Sequence, residues 1–222
     1  MELLINIIAM KKLNDIVSDK IKVIILVVIV FGSIFTYVIF NNHKTEDKDS
    51  VSVKVVATEA DKARLEVLKK KFNYTYDEFE KQGWYENKSQ TAENSYGRSL
   101  LMLHVNSTGY AYLEDQYYGN DWIFHTRVEV LVGDNKYVSG DVSINDKDNV
   151  EANGAGSVWE YISYKPGKDN GIIKAIAESG DNTVKVRFVG KQDVQDFTLA
   201  KVDQQALKDS YELSELLKKV SN

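Results

Sequence analysis

From Val23 to Phe40 the chain runs for 18 residues without a charge. As an α-helix rising about 1.5 Å per residue it would be about 27 Å long, close to the roughly 30 Å hydrocarbon core of a bilayer. A helix in a soluble core normally keeps a polar stripe, whereas this run offers only Gly32, Ser33 and Thr36. A cleaved signal would have a shorter apolar region, roughly 7–15 residues, ending at small side chains. Here the run ends in Tyr37, Val38, Ile39 and Phe40, and Gly32 and Ser33 lie in its middle. We therefore expect a retained membrane anchor, one transmembrane helix over 23–40. Lys11, Lys12, Lys20 and Lys22 precede it, and flanking basic residues mark the cytoplasmic side. The segment 1–22 is thus expected in the cytoplasm, and the body outside a cell membrane crossed once. Met10, followed by Lys11 and Lys12, is an alternative start that would give a conventional basic leader.

Beyond the anchor the chain must fold by burial alone, because it contains no cysteine. That also removes disulfides, thiolate nucleophiles, cysteine-ligated zinc and lipid attachment through cysteine. Residues 41–57 begin as a polar, charged tether, and 58–222 are enough for one domain with its own core. The first 40 residues carry four lysines against three carboxylates, so the body is more acidic than the whole-chain charge of −5. Phosphate contacts need clustered Lys or Arg. The one cluster, Lys69–Lys71, fits the end of a helix instead, so no nucleic-acid partner is expected.

Thr58 and Asp61 form a capping-box pattern, and Leu65, Leu68 and Phe72 follow on one helical face. The period then changes to two. Strands are expected at 83–88, 99–106, 109–118, 121–134, 136–144, 157–165 and 183–190, and Phe72, Tyr74 and Tyr76 alternate in the same way. In "DWIFHTRVEVLVGD" (121–134) the even positions from Trp122 to Val132 read as the core face, which turns His125, Arg127 and Glu129 outward. Residues 170–180 and 202–220 have helical spacing. The expected fold class is mainly β (α+β): an antiparallel sandwich or bent sheet with flanking helices, preceded by the transmembrane helix.

The blocks "YDEFEKQGWYENK" (76–88), "DWIFHTRVEVLVGD", "VWEYISY", "IIKAIAESGDNTVKVRFVGKQ" and "QQALKDSYEL" follow one another in this order. Over about Phe72 to Leu216 the chain resembles a family of bacterial and phage-associated, secreted or membrane-tethered domains of unknown function. The resemblance implies a β-rich extracytoplasmic domain and no particular activity. Members typically carry a lipoprotein-type signal; without a cysteine, this chain would be tethered by its helix.

No catalytic motif stands out. His43, His104 and His125 have no zinc-ligand spacing. Asp146, Asp148 and Glu151 lie in a stretch read as a solvated hairpin loop (145–156). It fails as a calcium loop, because the sixth and twelfth positions from Asp146 hold Glu151 and Ser157. Glu78, Glu80, Glu114, Asp115 and Glu160 could each belong to a glycosidase-type carboxylate pair, and nothing in the sequence selects two of them. No metal, cofactor or catalytic residue is assigned. The compositional excess is aromatic: 11 of the 13 tyrosines lie between Tyr74 and Tyr164. Tyr and Trp offer rigid area with a polar tip, which suits binding faces. Trp84, Tyr117, Tyr118 and Trp122 are the candidate binding-face aromatics, with Tyr117–Tyr118 expected at an exposed loop tip. The reading is a membrane-anchored, non-enzymatic interaction domain whose partner is an envelope or surface protein or a glycan. The alternatives are a cell-wall-acting enzyme with a carboxylate pair and a phage-type accessory protein acting at the membrane.

Overall fold

Thr58 starts the first described helix, as its side chain predicts. Its Oγ1 accepts the Asp61 amide at 3.1 Å, and Asp61 Oδ2 accepts the Thr58 amide at 2.9 Å. Two amides at the helix start thereby gain partners, in a reciprocal capping box. The computed structural model describes residues 57–221 except 147 and 155. The segment 1–22, the expected anchor at 23–40 and the tether up to 56 lie outside the described residues. Among those described, no helix is long and apolar enough to cross a membrane.

The elements run α1 (Glu59–Lys69), β1 (Phe72–Asp77), β2 (Gln82–Asn87), a 3-10 turn (Lys88–Gln90), α2 (Ala92–Ser95), β3 (Leu100–Asn106) and β4 (Ala111–Gly119). They continue with β5 (His125–Val132), β6 (Asn135–Val138), β7 (Asn149–Gly154), β8 (Ser157–Tyr164), α3 (Ile172–Ala177), β9 (Val184–Gly190), β10 (Val194–Thr198) and α4 (Lys201–Ser221). The protein is mainly β with two antiparallel sheets. One has the order β1-β2-β3-β4-β8-β7, the other β10-β9-β5-β6.

Alternation sorts the side chains. Leu101, Leu103 and Val105 of β3, Leu113 and Tyr117 of β4, and Val158, Ile162 and Tyr164 of β8 point into the core. Val128, Val130 and Val132 of β5 meet them there, with Val184, Val186 and Phe188 of β9. The apolar stripe of α4 (Leu207, Leu213, Leu216, Leu217) and Leu65 and Leu68 of α1 join the same cluster. Burial of this apolar surface, at about 25 cal/mol per Å², is what holds the two sheets and the helices together.

Three expected elements change, and one strand is new. The stretch 145–156 is not a loop throughout, because Asn149–Gly154 forms β7 on β8. Val194–Thr198, which has no apolar alternation of its own, is the edge strand β10 on β9. The expected strand at 121–134 begins only at His125, and 136–144 is a strand only to Val138. Residues 120–124 carry the chain from one sheet to the other, with Phe124 at a positive φ of 52°.

Candidate functional site

Successive residues of β4 and β8 point to opposite faces of the six-stranded sheet, and the two faces have different chemistry. On the inner face, Asp115, His125 and Glu160 come together at exposures of 0%, 0% and 1%. His125 Nε2 donates to Asp115 Oδ1 at 2.7 Å, and Nδ1 donates to Glu160 Oε2 at 3.0 Å. Glu160 also accepts three consecutive backbone amides, from Ile123 (2.7 Å), Phe124 (3.0 Å) and His125 (2.6 Å). The left-handed turn at Phe124 aims all three at one carboxylate, as in an anion-binding nest. Asp115 accepts the Ile162 amide at 3.1 Å and the Tyr164 hydroxyl at 3.0 Å.

Burial works to lower the His125 pKa. The charge and hydrogen bond of Asp115 and those of Glu160 outweigh it and lift the imidazole to about 9. Burial likewise works to raise Glu160, and the His125 ring and the three amides hold it below the usual carboxylate range. At neutral pH this is therefore an imidazolium between two carboxylates. The arrangement contains a carboxylate pair of the kind weighed in the sequence, yet neither carboxylate reaches solvent. It clamps the 120–124 crossing, and its role is structural. Among the described residues, no group of three His, Cys, Asp or Glu is arranged to hold a metal ion.

Strict alternation predicts an outward-facing His125, and the structure corrects this. A register shift between His125 and Arg127 against β9 turns the ring inward, since a bulge adds a residue and breaks the period of two. Tyr117 also corrects an expectation. It is only 5% exposed, and its hydroxyl donates to the Asp121 carbonyl at 2.7 Å, bracing the same crossing. It lies inside because it shares the inward face of β4 with Leu113 and Asp115. Trp122 is half-buried, stacked on Phe124 at 6.2 Å, away from the outer face.

On that outer face the register lines up Trp84, His104, Tyr112, Met102, Glu114, Gln116, Tyr118, Tyr161 and Trp159. The rings touch in two groups. His104 stacks on Tyr112 at 4.8 Å and Trp84 meets Tyr112 edge-on at 5.9 Å. Trp159 packs against Tyr118 at 5.1 Å and against the exposed Tyr96 at 5.6 Å. Between the groups, β2 leaves β3 after two paired positions. The gap is a hollow of about 210 Å³ lined by Glu86, Asn87, Met102, His104, Glu114 and Tyr161, among others. Burial, then Glu114, pushes Tyr112 up to about 12, and the same two causes raise Tyr161. Both hydroxyls therefore stay protonated and can donate. His104 Nε2 is buried without a hydrogen-bond partner and lies 3.4 Å from Glu114. Among the described residues, no Lys or Arg lines the hollow.

Trp84 and Tyr118 thus lie on one face, at its two ends, whereas Tyr117 and Trp122 do not. Sequence reasoning misses four further members of this face: His104, Tyr112, Trp159 and Tyr161. Their signal is present in "SVWEYISY", where Trp159 and Tyr161 alternate with Val158, Glu160 and Ile162. Both sets look fit for a core, so alternation alone does not say which set faces out. Fold and site together define a mainly β, α+β domain with one open aromatic face. No family model, curated protein or solved structure matches the chain.

Proposed function

We propose that this is a membrane-anchored, non-enzymatic binding domain, displayed outside the cytoplasm on the helix expected at 23–40. Its ligand surface is the outer face of the six-stranded sheet. The observation that carries the reading is the two groups of half-exposed rings flanking a hollow with two carboxylates and no cation. Rings supply rigid apolar area, while Glu114 and the tyrosine hydroxyls supply orientation. Such a surface suits a neutral or cationic ligand with apolar faces and hydroxyl or amino groups, as sugar units of an envelope glycan have. In this reading the two antiparallel sheets form a sandwich, the scaffold of a displayed domain.

The test is binding of the full-length protein in membranes to purified envelope glycan. Trp84→Ala and Tyr161→Ala are expected to weaken it about tenfold each, as loss of an aromatic anchor does. Equal binding by wild type and both variants sinks the reading. Glu86 and Glu114 line the same hollow, which favours a second reading, a wall-acting hydrolase. Release of soluble sugar by wild type but not by Glu114→Gln would establish it instead.

A further inference from the structure

The β1–β2 hairpin carries a feature that the fold does not use. β2 pairs with β3 at Trp84 and Tyr85, and the Ser107 amide just beyond β3 donates to the Gly83 carbonyl at 2.8 Å, so the hairpin beyond Gly83 extends past the sheet. Its tip holds Phe79 at 98% exposure, with Tyr74 and Tyr76 about half exposed on the arm behind it. The turn at the tip is closed by Asp77, whose Oδ1 accepts the amides of Phe79 (2.8 Å) and Glu80 (3.0 Å). Glu78 and Glu80 flank the ring. A polar loop would satisfy this turn equally well, so the ring has no folding role. The acidic flanks also oppose insertion into an anionic lipid surface.

The four-stranded sheet carries the complementary pattern. Its outer face has a groove of about 410 Å³, within the roughly 300–1,000 Å³ range of sites that enclose a ligand group. One cross-strand row there reads Lys185, Leu131, Lys136. The neighbouring row reads Asp196, Arg187, Glu129. Arg187 is held by Asp196 through two bonds of 2.6 Å, which fixes its guanidinium plane. Lys136 pairs with Glu129 at 2.7 Å, and Lys185 has no ion-pair partner among the described residues. Acid–aromatic–acid on the tip therefore faces cation–leucine–cation in the groove. The ring meets Leu131 and the lysine stems, beside a guanidinium suited to cation–π contact.

We propose that the hairpin tip of one copy docks into the outer groove of the four-stranded sheet of a second copy, with Phe79 on Leu131 between Lys136 and Lys185. Tip and groove are different surfaces, so each docked copy leaves its own tip free, and association runs head to tail. An interface this small is weak in dilute solution. Confinement on one membrane raises the local concentration enough to populate it. The proposal is independent of what the aromatic face binds.

The absence of native cysteine makes disulfide trapping in the full-length, membrane-held chain a clean test. Glu80→Cys combined with Lys185→Cys should give a ladder of dimers, trimers and higher species under mild oxidation. A mixture of the two single variants should stop at dimers. Adding Phe79→Ser should lower the cross-linked yield about tenfold. All three positions are exposed, and an unchanged urea midpoint confirms that the fold is retained. Several results would overturn the proposal: no cross-linked species, a bond within one chain only, equal dimerisation by Glu80→Cys alone, or indifference to Phe79→Ser. Shielding of Phe79→Cys from a soluble thiol reagent in vesicles holding one copy each would also overturn it, by making lipid the occupant.

Discussion

Glu114 and Asp115 are adjacent in β4 and have opposite fates. Asp115 is fully buried and accepts bonds from His125, Ile162 and Tyr164. Glu114 is half-buried on the other face, accepting the Ser163 hydroxyl at 3.1 Å beside His104. The pleat alone separates them. On the inner face a carboxylate must have every lone pair answered, because an unpaired buried charge costs several kcal/mol. The outer face is half open, and its demands are looser: His104 Nε2 stays without a hydrogen-bond partner there. One face is fixed by the fold, and the open one is the surface proposed for binding.

That contrast can be broken by experiment. Glu160→Gln leaves the imidazolium and three amides with a weaker acceptor, and should destabilise the protein by on the order of 3–5 kcal/mol, read as a lowered urea midpoint. The loss should not depend on ligand. Alkaline pH is a gentler probe of the same cluster. The folded His125 value of about 9 lies above the ordinary value of 6.5. Its stabilising contribution is therefore full below about 6.5 and is lost as pH rises through about 9, on the order of 3 kcal/mol at most. The urea midpoint should fall between pH 7 and pH 10, and His125→Gln should flatten that fall. The smallest effect belongs to the outer face. Glu114→Gln should shift stability by no more than about 0.5 kcal/mol, while bringing Tyr112 down from about 12 in a phenolate absorbance titration. A large loss from Glu114→Gln, or a negligible one from Glu160→Gln, would erase the distinction between the faces.

Much of the scaffold is legible because it rests on local signals. Thr58 with Asp61 announces α1, and the amphipathic spacing through Leu207, Leu213 and Leu217 announces α4. Gly133–Asp134 marks the two-residue turn between β5 and β6. The site is less legible, for two physical reasons. The bulge at His125 and the positive φ of Phe124 reverse the facing of a residue whose neighbours alternate regularly, and no side chain there forecasts it. β4 and β8 have chemically mixed residues on both faces, so period two fixes alternation but not which set is inside. Burial is decided by what packs above, and α4 and the second sheet come from distant sequence. Tyr117 and Tyr118 make the point: nothing local distinguishes the buried ring from the open one.

The Glu160 clamp also sets an order of events. Asp115 lies 47 residues from the Ile162 amide and 49 from the Tyr164 hydroxyl that it accepts. Contacts so distant in sequence form late, after the loop between them has closed. A chain emerging N-terminus first presents Asp115 and His125 well before Glu160 and Tyr164 exist to receive them. Until then the Asp115–His125 pair lacks its other partners, and the crossing between the sheets is braced only by Tyr117 on the Asp121 carbonyl. The ionic corner can therefore close only once the chain has been delivered through Tyr164, the last of its partners in sequence.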